Sequence, residues 1–470
     1  MLCRKGIIMA TKEILKDTTE NKMGTMPVNR LLISMSVPMM ISMLVQALYN
    51  IVDSIFVAQV DEYAVRAVSL AFPIQSLMIA IGVGTSVGVN ALLSRALGEK
   101  DYKRVNKTAD NGVFVVILCY LLFLLIGFTV VEPFMASQTD VPEVKAYGVS
   151  YLTICTTCSF GLFIQVIFER LLQSTGKTFY TMITQGIGAV INIILDPIMI
   201  FGLFGFPRME AAGAAIATVT GQIVGAIVAI VFHFKFNHEV KLNIKGFKPD
   251  LFVIRQIYAV GAPSIVMQAI GSVMTYGMNL ILNAYGVAQT VFGLYFKLQS
   301  FVFMPVFGLN NGMVPIIAYN FGAGSKERVV KTMKLSIMYA VSIMFLGLLV
   351  MEIFPAQLLM LFNATPELLA VGVPALRIIC LSFVFAGFCI VVGSVFQALG
   401  NGVYSMIVSI ARQLVVLLPA AYLFSLTGKA VNIWWAFPLA EVVSVVMSCY
   451  FLHRLYKKII RHIGLTKSLP

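Results

Sequence analysis

Charge is what this 470-residue sequence lacks most: only 12% of its residues are Asp, Glu, Lys or Arg, against roughly 25% in soluble globular domains. That scarcity excludes an ordinary water-facing surface. Histidine is nearly as scarce, with 4 residues in or near expected loops, so neither a His/Cys/Glu metal cluster nor a Ser-His-Asp set can be assembled. The 7 cysteines fall mostly in apolar runs, and Cys155-x-x-Cys158 has no second pair or nearby histidine to complete a metal site. We read that pair as structural. Gly176-Lys177-Thr178 resembles the end of a phosphate loop, but Leu171 stands where the loop needs glycine. No enzyme chemistry and no cofactor are legible. The first thirty residues are polar and mixed in charge (Lys12, Glu13, Lys16, Asp17, Glu20, Lys22) and lack the apolar core of a signal peptide. The N-terminus is therefore expected to stay inside, and Met9 reads as an alternative start.

What is present is apolar: 59% of residues are hydrophobic and mean hydropathy is +0.90. Runs long enough to cross a bilayer, about 20 residues, lie near 31–57, 64–92, 109–131, 147–172, 179–204, 211–234, 256–283, 288–317, 333–354, 368–398, 403–426 and 432–454. This predicts an all-α membrane protein with twelve transmembrane helices. A net charge of +13 would suggest nucleic acid in a soluble protein. Here placement explains it, and no nucleic-acid partner is expected. With the N-terminus inside, 27 of the 34 Lys and Arg residues fall in inner loops and tails, and only Arg66, Lys145, Arg208 and Lys429 fall outside. The inside-positive bias predicts a multi-pass protein of the plasma (inner) membrane with both termini cytoplasmic.

The halves repeat at an offset of 224 residues. Leu70-Ala-Phe72-Pro-Ile-Gln75-Ser76 matches Leu294-Tyr-Phe296-Lys-Leu-Gln299-Ser300, and Gln173-x-x-Gly176-x-x-x-Tyr180-x-Met182-Ile183 matches Gln397-x-x-Gly400-x-x-x-Tyr404-x-Met406-Ile407. Six spans is an even number, so both copies keep the same orientation, which predicts two six-helix lobes related by a pseudo-two-fold axis. The expected organisation is a tail (1–30), a first lobe (31–236), a linker (237–255), a second lobe (256–456) and a tail (457–470). The offset maps Asp53 onto Gly277 and Asp196 onto Ala420, so neither acid recurs, while Lys297 stands where the first lobe has Pro73.

Polar residues inside the apolar runs are the functional candidates, because a charge in hydrocarbon costs at least ~2.5–3.5 kcal/mol. Asn192 and Asp196 are four apart on one helix face, which Gln185 and Gly188 extend, and Pro197 leaves the Ile193 carbonyl without its helical donor. Gln46, Asn50 and Asp53 form a stripe on span 1. The small residues opening span 6 allow close approach and bring Thr218 toward Asp196. These oxygens suit a hard cation such as Na⁺ and equally a proton. Gln268, Ser272, Thr275 and Asn279 on span 7 read as cavity lining, with helix packing the alternative. Lys297 reads as a substrate contact or a paired base. Glu169 is expected to pair with its neighbour Arg170, and Arg377, Arg412 and Glu441 are buried charges that need partners.

Pro38, Asp53-Ser-Ile-Phe-Val, Gly98-Glu-Lys-Asp-Tyr-Lys-Arg-Val, Gly176-Lys-Thr, Asn192-Ile-Ile-Leu-Asp196-Pro197, Gly213-Ala-Ala-Ile-Ala-Thr218, Gly261-Ala-Pro263-Ser and Pro315-Ile-Ile-Ala-Tyr319-Asn320 follow one another in an order that resembles the multidrug and toxic compound extrusion (MATE) transporters. The resemblance covers nearly the whole chain. It implies export of cationic or aromatic small molecules in exchange for H⁺ or Na⁺ by alternating access. It also implies a cation site at Asp53, Asn192, Asp196 and Thr218. The absence of acids from spans 7 and 10 argues against the branch with its cation site in the second lobe. A lipid-linked oligosaccharide flippase of related architecture is the alternative, supported by Lys297, Arg377 and Arg412; a receptor-like scaffold is a third. A major-facilitator porter is disfavoured because the 98–104 loop does not match that family's basic 2–3 loop.

Overall fold

The computed structural model describes residues 21–60, 62–243 and 247–465. Residues 1–20, with Met9 and the charged positions before Asn21, lie outside the described residues, as do 244–246 of the expected linker and 466–470 of the C-terminal tail.

Every regular element among the described residues is helical. Ten stretches are long and apolar enough to cross a bilayer, and two bent helix pairs complete twelve spans. The first lobe contains α1 (Val28–Ala58), α2 (Glu62–Gly98), α3 (Tyr102–Thr129), α4 (Pro142–Thr157 with Phe160–Ser174), α5 (Thr178–Phe201) and α6 (Glu210–Phe236). The second contains α7 (Leu251–Leu282), α8 (Ala288–Gly322), α9 (Lys326–Ile353), α10 (Pro366–Cys380 with Phe383–Ala398), α11 (Gly402–Ser425) and α12 (Ala436–Lys458). At 37 and 35 residues, α2 and α8 are over 50 Å long at about 1.5 Å per residue. Both outreach the hydrocarbon core and carry the lobe interface beyond it.

The bends in α4 and α10, 43° and 48°, occupy corresponding places in the two copies. Both have a local cause. The hydroxyls of Thr156 and Ser159 donate to the Leu152 and Thr156 carbonyls at 2.7 Å, and Ser382 donates to the Ile379 carbonyl at 2.6 Å. Such back-bonding competes with the helical ladder and bends it. In α11, the turns over Ala411–Leu417 widen into a π-helix just before Pro419, relieving the clash of a proline ring with the preceding turn.

The lobes meet at the end that carries residues 21–27 and the turns after α2, α6 and α8, called here the tail end. At several helix crossings there the backbones approach too closely to admit a side chain. A Cβ on Gly308 would strike the Met40 backbone and one on Gly312 the Ser36 backbone, fixing α1 on α8. Gly84 and Gly88 do the same for α2 against Ile265 and Ile257 of α7, and Gly98 and Gly322 for α2 against α8. The linker lies along α3, where Lys241 and Asn243 donate backbone N–H groups to Asn106 and Asp110 and Asp250 pairs with Lys107. The Ser76 and Ser272 hydroxyls join α2 to α7 at 3.1 Å. Farther along α1 from the tail end, Gln46 and Asn50 are exposed. The glycine crossings that join the lobes all lie in the tail-end halves of their helices.

Candidate functional site in the first lobe

Four helices of the first lobe converge on the acids singled out from sequence. The α5–α6 crossing is made by glycine: a Cβ on Gly221 would lie 2.6 Å from the Gly188 carbonyl oxygen, and one on Gly213 would lie 2.5 Å from Met199. Close backbones place short polar side chains within reach. In the amide orientation that satisfies both ends of Asn192, its Nδ2 donates to Asp196 Oδ2 at 3.1 Å. Its oxygen then accepts from the Thr218 N–H at 3.0 Å and from the Thr218 hydroxyl at 3.2 Å. Asn192, Asp196 and Thr218 are all buried, Asp196 completely. Asp53 of α1 lies beside Asp196. One oxygen of each carboxylate, Oδ1 of Asp53 and Oδ1 of Asp196, is buried without a partner among the described residues. Two neighbouring carboxylates with orphaned oxygens form a site short of positive charge, suited to a proton or a small cation.

The site includes residues that the sequence reading missed. Tyr49 of α1 lies close to Thr218 and to both acids. Tyr151 and Cys155 of α4 flank Asp53, and Gln75 of α2 donates to the Tyr151 hydroxyl at 3.2 Å. Spacing held the available signal: Tyr49 precedes Asp53 by four residues and Tyr151 precedes Cys155 by four, which puts each pair on one face.

The other candidates separate into groups. Gln46 and Asn50 share the α1 face with Asp53 and are exposed. Gln268 is exposed on α7, Ser272 meets Ser76, and Thr275 donates to its own helix at the Gly271 carbonyl. Asn279, half-buried, lies a turn beyond Thr275. Lys297 is exposed, with Nζ 5.8 Å from the centre of the Phe362 ring. Gln185 belongs to a second buried cluster nearer the tail end. It donates to Glu169 at 2.7 Å and accepts from Ser42, while Gln165 and Thr184 each donate to Glu169 at 2.9 Å.

Glu169 therefore does not form the local ion pair expected with Arg170. Adjacent residues on a helix project about 100° apart, so the Arg170 guanidinium instead reaches Gln173 at 2.8 Å and Asn311 of the second lobe at 3.0 Å. The remaining span charges find partners within the second lobe. Arg412 donates to Glu441 at 2.6 Å; Arg377, expected to be buried, has an exposed side chain and lies 3.8 Å from Glu352.

The MatE family profile matches this chain twice, at residues 38–198 and 263–423, once in each lobe. The multidrug export protein MepA of Staphylococcus haemolyticus (strain JCSC1435) is 27% identical over 430 residues, covering 90% of this chain and 93% of the relative. MepA of Staphylococcus aureus (strain MRSA252) is 26% identical over 431 residues, covering 91% and 94%. Among solved structures, one described as the outward-facing conformation of a multidrug resistance MATE family transporter of the MOP superfamily superposes with a TM-score of 0.86 at 23% identity, covering 94% of this chain and 99% of that one. The two profile matches together span more than half of the sequence, one on each six-helix lobe, and the chain belongs to the MatE family.

Proposed function

We propose that this protein is a secondary antiporter of the plasma membrane that exports cationic or aromatic compounds in exchange for H⁺ or Na⁺. The observation that carries this reading is the Asp53–Asp196 carboxylate pair, with oxygens unpartnered among the described residues and a scaffold of Asn192 and Thr218, inside a first lobe that packs on the second through glycines at the tail end. Loading that pair with a cation removes the repulsion between the two acids. This favours tighter packing of α1 on α5, a change inside one lobe that can alter how it closes against the other. Multidrug export by the MepA proteins supports the substrate class, and the charge distribution supports a cytoplasmic tail end, so the tight glycine crossings between the lobes lie on the cytoplasmic side.

Energetics permit it: one pH unit supplies ~1.4 kcal/mol per proton and 100 mV about 2.3 kcal/mol per net charge moved. A one-for-one exchange of a proton for a monovalent cation moves no net charge, so the pH term alone drives that stoichiometry. The flippase reading needs a basic cavity for a large anion. Arg412 is committed to Glu441 and Arg377 lies beside Glu352, so of the three bases that supported it Lys297 remains.

The test is efflux of a fluorescent cation such as ethidium from proteoliposomes under imposed pH or Na⁺ gradients, comparing wild type with Asp196→Asn. The expected result is gradient-driven efflux in wild type, lost in the variant while ethidium still binds. Wild-type efflux by Asp196→Asn would overturn the assignment of coupling to this lobe.

A further inference from the structure

The short segment before α1 touches both lobes. Asn21 caps a single helical turn, Lys22–Thr25, its Oδ1 accepting from the Met23 N–H at 2.9 Å. Its Nδ2 donates to the Thr175 carbonyl at 3.0 Å and to Glu239 at 2.7 Å, and the other Glu239 oxygen holds Lys177 at 2.7 Å. Thr175 lies between α4 and α5 and Glu239 follows α6, so this end of the segment is bound to the first lobe.

Two residues later the contacts change lobe. The Met23 side chain is fully buried, and its carbonyl accepts from Asn320 of α8 at 3.0 Å and from Arg328 of α9 at 3.0 Å. The Met26 carbonyl accepts from the same Arg328 nitrogen at 2.7 Å, while Arg328 Nε donates to Asn320 Oδ1 at 2.9 Å. A Cβ on Gly24 would lie 3.1 Å from the Tyr319 ring, so the turn lies flat on α8. Carbonyls at the end of a helical turn have no internal donor, and a planar guanidinium can serve several acceptors at once. Among the described residues Arg328 forms no ion pair with a carboxylate; its Nε donates to Asn320 and one Nη to this segment.

We propose that residues 21–27 form a strap holding the tail ends of the two lobes together, with Arg328 as its lock. The proposal rests on the alternating-access reading above, because the tail ends must separate in each cycle. The strap runs directly into α1 and is anchored to the first lobe through Asn21. The bonds that break on opening are therefore those from Arg328 and Asn320, two of them charge-assisted and stronger than neutral hydrogen bonds. Neither residue lies at the carboxylate pair. The strap sets how often the tail end opens and leaves ion binding at the acids alone.

The test measures distances between spin labels on Lys103 and Lys331, exposed near the tail ends of α3 and α9, with native cysteines replaced by serine and the full chain in lipid nanodiscs. Wild type is compared with Arg328→Gln, Arg328→Lys and Asn21→Ala, each across pH and Na⁺ conditions. Arg328→Gln is expected to raise the ratio of tail-open to tail-closed molecules about tenfold, the scale of one charge-assisted hydrogen bond. Asn21→Ala, cutting the first-lobe anchor, is expected to shift it the same way by less, and Arg328→Lys to fall between wild type and Gln. A wild type that switches between two distances while folded, monodisperse Arg328→Gln and Asn21→Ala switch identically would overturn the strap alone. A single distance in every protein and condition would overturn alternating access and the strap with it.

Discussion

Arg412 of α11 donates to Glu441 of α12 at 2.6 Å, and the 224-residue repeat places these two where the first lobe has Gly188 and Ala217. The first lobe brings α5 and α6 together through glycines, and among the described residues no Lys or Arg stands beside Asp53 and Asp196. In the second, an arginine supplies the positive charge from within the chain. Glu441 is buried, and its Oε2 has no partner, so removing the guanidinium leaves an uncompensated charge. Arg412→Leu is expected to destabilise the protein by about 3 kcal/mol or more, while Arg412→Leu combined with Glu441→Leu recovers most of that loss. Thermal unfolding of the purified single and double variants checks this; an additive double variant would show that the pair does not act as a unit.

The Thr218 hydroxyl is the contact that ties α6 to Asn192. Thr218→Val keeps the shape and removes the donor, whereas Thr218→Ser keeps the donor. Loss of one such bond corresponds to roughly 1 kcal/mol, so the valine variant is expected to need a several-fold larger cation gradient for half-maximal efflux, with serine near wild type. Titrating ethidium efflux against the imposed gradient distinguishes the two.

The spans were legible because hydrocarbon demands long apolar runs, and the two lobes because the repeat keeps its offset. Asp53, Asn192 and Asp196 stood out for the same physical reason: an acid or amide is conspicuous in an apolar run. Tyr49 and Tyr151 did not, since an aromatic ring is unremarkable in a membrane helix until a neighbour uses its hydroxyl. The Glu169–Arg170 expectation failed because adjacency along the chain was taken for adjacency in space. The bends in α4 and α10 depend on whether Thr156, Ser159 and Ser382 turn their hydroxyls back on the helix, a rotamer choice that the residue names do not state.

Asp250 caps α7, accepting from the N–H groups of Phe252 at 2.8 Å and Val253 at 3.4 Å, and pairs with Lys107 of α3. The Lys107 ammonium is the main cause holding its carboxyl below the ordinary carboxylate value. A lowered folded value contributes stability above the unfolded value, near 3.9, and that stability disappears as pH falls through the lower folded value. Asp250→Asn keeps a capping oxygen and loses the ion pair. The small stability advantage of wild type over this variant is expected to be present at neutral pH and to shrink below about pH 4. Melting curves of both proteins across that range would show a constant difference if the ion pair contributed nothing.

The glycine crossing of α5 and α6 offers a prediction that separates geometry from chemistry. Gly221 faces the Gly188 carbonyl so closely that a Cβ would lie 2.6 Å from the oxygen and 3.3 Å from the Asn192 Cβ. Neither neighbour can yield by rotating a flexible side chain, so Gly221→Ala must move the helices apart. A shift of even half an ångström stretches the 3.0 and 3.2 Å contacts between Thr218 and Asn192 past good hydrogen-bond length. No acid or donor is removed, yet coupled efflux is expected to fall about tenfold, the equivalent of ~1.4 kcal/mol. Gly186→Ala, on the facing helix α5 with open space around its Cβ position, is the control and is expected to transport like wild type. If Gly221→Ala also transports normally at equal expression, the close approach of α5 and α6 is packing alone, and the orientation of Asn192 does not depend on it.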